Sequence, residues 1–226
     1  MVQPIRQSRV NQLVSIAAAL LIGIALFIIA YFGARHGQIT GWELDTFKFF
    51  NHAADWVVAI FIAISFLGTV VALVLATAIL MVLKRYGWAI KLFLAGGIAW
   101  ATATFIKLLE IRARPYELLG DVHLAETKDF ATGFPSAHAA TAAAIALMLT
   151  VKDTKKISWL FFVAVLLVAI SRMVVGMHAP LDVVGGIGIG MIVASLINGL
   201  SNLIAKRSTA KAELNNHHGQ NQSQNH

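Results

Sequence analysis

The chain contains no cysteine, and only 13% of its 226 residues are charged. The absent cysteine excludes disulfides and thiolate metal sites outright. The scarcity of charge excludes an ordinary soluble domain, in which about a quarter of residues are charged. Nothing resembling a linker divides the chain, and no internal repeat or low-complexity run precedes its end. Apolar residues are present instead: 58% of the chain is hydrophobic, with mean hydropathy +0.74. This is the composition of an integral membrane protein forming one compact bundle.

Six apolar segments, near 12–33, 56–83, 88–108, 135–151, 157–177 and 180–205, approach the roughly 20 helical residues needed to cross about 30 Å of hydrocarbon. The predicted fold is all-α, a six-transmembrane-helix bundle. Residues 1–11 form a cytoplasmic N-terminus, 12–205 the membrane domain and 206–226 a polar, disordered cytoplasmic tail. The fourth segment is the shortest and is rich in alanine. The first has an apolar run longer than the 7–15 residues of a signal peptide and no A-x-A-like site after it, so it is read as a retained helix.

Basic residues in the short connections set the orientation. With the N-terminus inside, the inner side holds Arg6, Arg9, Lys84, Arg85, Lys91, Lys152, Lys155, Lys156, Lys206, Arg207 and Lys211 against two acids, Asp153 and Glu213. Both termini are therefore expected in the cytoplasm and the protein in the plasma membrane. The net charge of +7 is accounted for by topology, and no nucleic-acid partner is expected. In this arrangement Lys107, Pro135, His138 and Arg172 all fall at the outer ends of their helices.

Three polar clusters converge there. The first, KLLEIRARP over 107–115, places Lys107 at the end of the third span and Arg114 beside the helix-stopping Pro115. Alone, it also fits cations snorkelling to headgroups. The second, GFPSAH over 133–138, offers Ser136 as the N-cap of the fourth span, with unpaired amides that attract anions and His138 in the first turn. Alone, His138 also fits an interfacial histidine bonded to a neighbour. The third is SRMVVGMHAPLD over 171–182, with Arg172 near the end of the fifth span and Pro180 opening the sixth. Asp182, four residues after His178, can accept one imidazole proton and leave the other nitrogen as a nucleophile. A purely structural His–Asp pair is the alternative. The combined set of cations, histidines, carboxylate and helix N-termini suits a dianionic phosphate, whose transfer needs positive charge, an in-line nucleophile and a proton donor.

The ordered pattern K-x6-RP, PS-x-H and SR-x5-H-x3-D resembles the type 2 phosphatidic acid phosphatase (PAP2) superfamily of membrane phosphatases over about residues 40–205. The resemblance implies that Lys107, Arg114 and Arg172 bind phosphate with help from Ser136, Ala137 and nearby amides. It implies His178 as the nucleophile that becomes phosphohistidine, Asp182 as its orienting partner and His138 as the leaving-group acid. It implies no metal and no cofactor. Expected substrates are lipid phosphates or diphosphates at the outer face: phosphatidic acid, phosphatidylglycerophosphate or undecaprenyl diphosphate. Ala137 departs from the family's usual glycine, so a methyl group narrows the space near the phosphate.

Other features have plainer readings. In GGIGIG over 185–190, Gly186 and Gly190 make a small-xxx-small face for close helix packing, since no strand precedes them to form a nucleotide loop. Residues 41–56 mix Trp and Phe with charges and predict an outer interfacial helix. The acidic stretch 117–129 with His123 predicts a solvated loop over the site. The tail histidines are a weak metal-binding pattern. Three rivals differ in what they require. A transporter predicts charges along several spans, whereas the span interiors here are nearly charge-free. A metal hydrolase built on His138, His178 and Asp182 needs a further ligand. A phospholipid-binding protein does not need the His178–Asp182 spacing. Membrane lipids are expected neighbours, and the sequence does not specify an oligomeric state.

Overall fold

The computed structural model describes residues 2–109, 111–128, 131–150 and 155–223, with side chains over 10–109, 111–128, 131–150 and 158–208. Asp129, Lys152 and Asp153 lie outside the described residues, as do the side chains of Arg6, Arg9, Lys155, Lys156, Lys211 and Glu213. All regular structure among the described residues is helical. In chain order it comprises α1 (Val2–Ala34), α2 (Trp42–Asn51), α3 (Asp55–Ser65), α4 (Val70–Val82), α5 (Tyr86–Ile106), the single turn α6 (Pro115–Leu118), α7 (Ala137–Thr150), α8 (Lys155–Val174) and α9 (Pro180–Ser223).

Among the described residues three helices, Val10–Ala34, Tyr86–Leu109 and Pro180–Ser208, are long and apolar enough to cross a bilayer unaided. They match the first, third and sixth expected spans. The second expected span, 56–83, is not one helix. It breaks at a 3-10 turn, Phe66–Gly68, and restarts as α4 behind Thr69, whose Oγ1 accepts from Ala72 N at 3.1 Å. Gly68 presses against α7 here: a Cβ on it would lie 2.8 Å from the His138 carbonyl oxygen. A glycine followed by a capping threonine stops one helix and starts the next. Within 41–56, where an interfacial helix was expected, α2 forms, bent by 103° from Asp55–Gly68. At the far end, α9 is helical as far as Ser223, where disorder had been expected from 206.

The alanine-rich α7 is the centre of the bundle, packing against α5, α8 and α9. Ala139, Ala140, Thr141, Ala142, Ala143 and Ala144 are all buried. Between helices in lipid, small residues let backbones approach closely, and dispersion replaces the hydrophobic drive. That accounts for its short, alanine-rich sequence: it faces protein rather than lipid. The neighbouring core comprises Leu73, Leu92, Ala95, Ala99, Ala103, Met148, Ile189 and Val193. The glycine run of α9 serves two interfaces. A Cβ at Gly186 or Gly190 would strike the carbonyl of Ser136 or Ala140 on the α7 side, while one at Gly188 would meet Phe27 N of α1 at 2.8 Å. Ile60, Leu75, Val82, Phe93 and Leu160 are exposed, as expected of side chains that face lipid.

Candidate active site

The end of α5, the starts of α7 and α9 and the end of α8 meet at one end of the bundle, and the local sequence accounts for each junction. At the end of α8 the Arg172 carbonyl accepts from both Met177 N and His178 N at 3.1 Å. Gly176 permits that reversal with φ 78°, and a Cβ there would lie 2.6 Å from the His123 carbonyl oxygen. Both the left-handed backbone and the close approach require glycine. The next helix then starts at Pro180, as expected, with Asp182 Oδ2 accepting from Ala179 N at 2.8 Å. On the α7 side Ser136 is the N-cap, its Oγ accepting from Ala139 N at 3.5 Å, and its own N–H donates to the Asp182 carbonyl at 2.9 Å. Ala137, the first residue of α7, is half-buried.

Each predicted site residue is found at this end. Lys107, Arg114 and Arg172 are at most 7% exposed. Lys107 Nζ donates to Thr132 O at 2.5 Å and Gly133 O at 3.3 Å. Arg114 donates from Nε to Ala131 O at 2.7 Å and from Nη1 to Met177 O at 3.2 Å. All three cations lie within electrostatic reach of the His138 imidazole, and Lys107 and Arg114 also reach His178. His178 Nδ1 stands 3.6 Å from Asp182 Oδ2, beyond a formed hydrogen bond but close enough to form one with a small rotation. Burial is the main influence on His178 and holds its pKa well below the usual imidazole range, against the opposing pull of Asp182. The ring is therefore neutral at physiological pH, with a lone pair available for attack.

Four further residues complete the site, and sequence reasoning gave none of them a role. Arg112, 1% exposed, bridges two carboxylates. It donates to Glu43 at 2.7 and 2.9 Å and to Asp182 Oδ1 at 2.7 and 3.3 Å. Burial alone would lower its pKa, but Asp182 and Glu43 raise it above the ordinary value. Glu43 also accepts from Leu181 N at 3.0 Å, taking an amide of the α9 N-terminus that has no intrahelical partner. Asn51, fully buried, clamps α2 to the site: it accepts from His123 N at 2.8 Å and donates to His123 O and Val174 O at 2.8 and 3.1 Å. The fourth is Glu126. The stretch 117–129 was expected to be a solvated loop, but Glu126 turns inward and grips Arg172 at 2.8 and 2.9 Å. Burial tends to raise the Glu126 pKa, but the hydrogen-bonded pair with Arg172 outweighs it and holds the carboxyl below its usual range.

A two-oxygen carboxylate on a guanidinium fork has the geometry of a bound phosphate edge. With the neutral His178 beside buried cations in an all-helical apolar bundle, it defines a class: integral-membrane proteins that handle phosphate groups. Residues 88–203, about half of the chain, match the PAP2 superfamily, and the chain belongs to that family, whose membrane members are phosphatases. It is 28% identical over 151 residues to an undecaprenyl-diphosphatase of Sulfolobus acidocaldarius, covering 66% of this chain and 73% of that one. Among solved structures it is similar to LpxE of Aquifex aeolicus, with TM-score 0.65, 25% identity and coverage of 71% of this chain and 96% of that one. It also shares the fold of a transmembrane PAP2-type phosphatidylglycerolphosphate phosphatase of Bacillus subtilis, with TM-score 0.68, 21% identity and coverage of 80% and 96%.

Proposed function

We propose that this chain hydrolyses the phosphate monoester or diphosphate headgroup of a membrane lipid through a phosphohistidine on His178. The observation that carries the reading is the bidentate seat of Glu126 on Arg172, beside His138 and the His178–Asp182 pair. A substrate phosphate replaces that carboxylate and is held by Arg172, Arg114 and Lys107, with the amides at the start of α7 completing its shell. Asp182 takes the Nδ1 proton side of His178, so Nε2 attacks phosphorus in line. As the N–P bond forms, the bond from phosphorus to the leaving oxygen breaks. That oxygen keeps the electron pair and receives a proton from His138. Water, deprotonated by His138, then attacks phosphorus, and the N–P electron pair returns to Nε2. The cations stabilise the equatorial oxygens throughout.

A lipid substrate fits the surroundings. Trp42, Phe49 and Trp56 of α2 and α3 are exposed beside the site end, as at a headgroup boundary. The curated relative is named as an undecaprenyl-diphosphatase and one solved structure as a phosphatidylglycerolphosphate phosphatase, so undecaprenyl diphosphate, phosphatidylglycerophosphate and phosphatidic acid are the substrates to try first. We place the site at the outer face of the plasma membrane, with six crossings and both termini in the cytoplasm. Rapid-quench assays on these lipids test the mechanism. The expected result is an acid-labile, base-stable phosphoenzyme that disappears together with turnover in His178→Ala. Substantial turnover in that variant, or label on Ser136, would overturn it.

A further inference from the structure

A second feature is a cavity of about 750 Å³ lined by residues of α1, α7, α8 and α9, which runs from the middle of the bundle toward the helix ends far from the candidate active site. That volume lies within the roughly 300–1,000 Å³ of ligand sites. Most of its wall is apolar, including Ile16, Phe161 and Met191, but Ser195 and Asn198 line it as well. These two residues sit one turn apart on α9, on one face. They are 2% and 5% exposed, and among the described residues Ser195 Oγ and Asn198 Nδ2 have no hydrogen-bond partner. Unsatisfied donors are rare at membrane depth because no water is there to meet them. Gln12, Thr150 and Ser158 add polar groups at the same end.

Depth identifies the occupant. Asn198 lies sixteen residues beyond Asp182 on α9, about 24 Å along the axis at 1.5 Å per residue. In a hydrocarbon layer of about 30 Å, that places it near the glycerol-linkage level of the opposite leaflet. Further along α9 the exposed Lys206 and Arg207 mark the anion-attracting interface. We propose that this cavity binds one glycerophospholipid from the leaflet opposite the candidate active site. Its acyl chain lies among α1, α7 and α8, and its ester or ether oxygens accept from Ser195 Oγ and Asn198 Nδ2. The inference is independent of the reaction, because the cavity's polar end is a membrane's depth away from His178.

The test uses the full chain in phosphatidylethanolamine–phosphatidylglycerol nanodiscs, with a trace of phosphatidylglycerol carrying a diazirine on one acyl chain. After photolysis, adducts are mapped by peptide mass spectrometry. Adducts should concentrate severalfold on the cavity residues Phe161, Ile187 and Met191 over the outward-facing Leu196, Leu200 and Leu203. Asn198→Leu should remove most of that excess and Ser195→Ala part of it, with turnover unchanged in both. The milder serine variant keeps the test valid if the leucine variant misfolds. Equal labelling of cavity and outward residues would overturn the proposal, as would an excess unaffected by either substitution. Protein–protein crosslinks mapping to the cavity, formed by a bifunctional reagent in the same nanodiscs, would overturn it too, by making the occupant a second copy of the chain.

Discussion

Arg112 offers the sharpest test of how the candidate nucleophile is held. In Arg112→Met the guanidinium is lost, and two carboxylates, Glu43 and Asp182, are left buried without it. Removing one partner of a buried ion pair costs about 3–5 kcal/mol, so unfolding in mixed detergent micelles should shift by that order. Asp182 keeps the Ala179 N–H on Oδ2 but loses both donors to Oδ1. A carboxylate held on one side only orients imidazole poorly, and loss of such a supporting contact lowers kcat by about 10–100-fold. KM should change little, because Arg112 faces carboxylates rather than substrate. Arg112→Lys should recover only part of the loss, since an ammonium cannot fork both acids. Glu43→Gln keeps an acceptor for Leu181 N and should cost about 1–3 kcal/mol. In the double variant Glu43→Leu/Arg112→Met one stranded charge is gone, so the cost should fall short of the sum of the single variants by about 1–3 kcal/mol. The reasoning is refuted if Arg112→Met leaves kcat within about twofold, or raises KM at constant kcat, which would make Arg112 a phosphate ligand.

Three further outcomes follow from the same geometry. Glu126→Gln should lower KM severalfold with kcat nearly unchanged, because a charged competitor leaves Arg172; a raised KM would show that Glu126 helps bind substrate. Its pKa is depressed, so the stabilising pair with Arg172 is complete above the ordinary carboxylate range and is lost as pH falls through the lowered value. The His178 pKa is also depressed, so stability is full above about pH 6.5 and declines as pH falls below it. His178→Phe should flatten that decline in thermal unfolding, and kcat/KM should show no acid limb from His178 near pH 6.5. For topology, Gly87 and Gly120 are exposed positions where a Cβ meets nothing, and the native chain has no cysteine to interfere. Gly120→Cys should react with an impermeant thiol reagent on intact cells and Gly87→Cys only after lysis; the reverse pattern would invert the orientation.

The sequence made the site's ingredients visible because they sit at helix ends, where local rules are strict. Pro180 opens α9 and Ser136 caps α7, each read from a few neighbouring residues, whereas the fifth span was expected to run to 177, past the left-handed Gly176 that follows the end of α8. The supporting residues were hidden for the opposite reason. Glu43 and Arg112 are 69 positions apart, and no local pattern says which buried acid meets which buried cation. Arg112 lies inside the motif that was noticed, two residues before Arg114, yet spacing alone could not separate their roles. Length and composition likewise made the short alanine-rich helix at the centre of the bundle the least obvious span. Hydropathy also runs straight through Gly68–Thr69, where capping chemistry divides the second span.

Arg112 and Arg172 differ in what it costs to free them. Arg112 is held between carboxylates of α2 and α9 with both partners at most 5% exposed, so admitting a phosphate would mean stripping a buried ion network. At about 3–5 kcal/mol for each broken pair, that exceeds what a phosphate contact returns. Arg114, two residues on, has the main-chain carbonyls of Ala131 and Met177 among its partners. Arg172 is different: its partner is a carboxylate, but one that is 28% exposed on a loop, where solvent can receive it when it is displaced. The cations therefore divide by the mobility of their counter-charges rather than by their own burial, which is nearly equal. A fixed counter-charge suits Arg112 to supporting Asp182, and under the proposed function a displaceable one suits Arg172 to receiving phosphate.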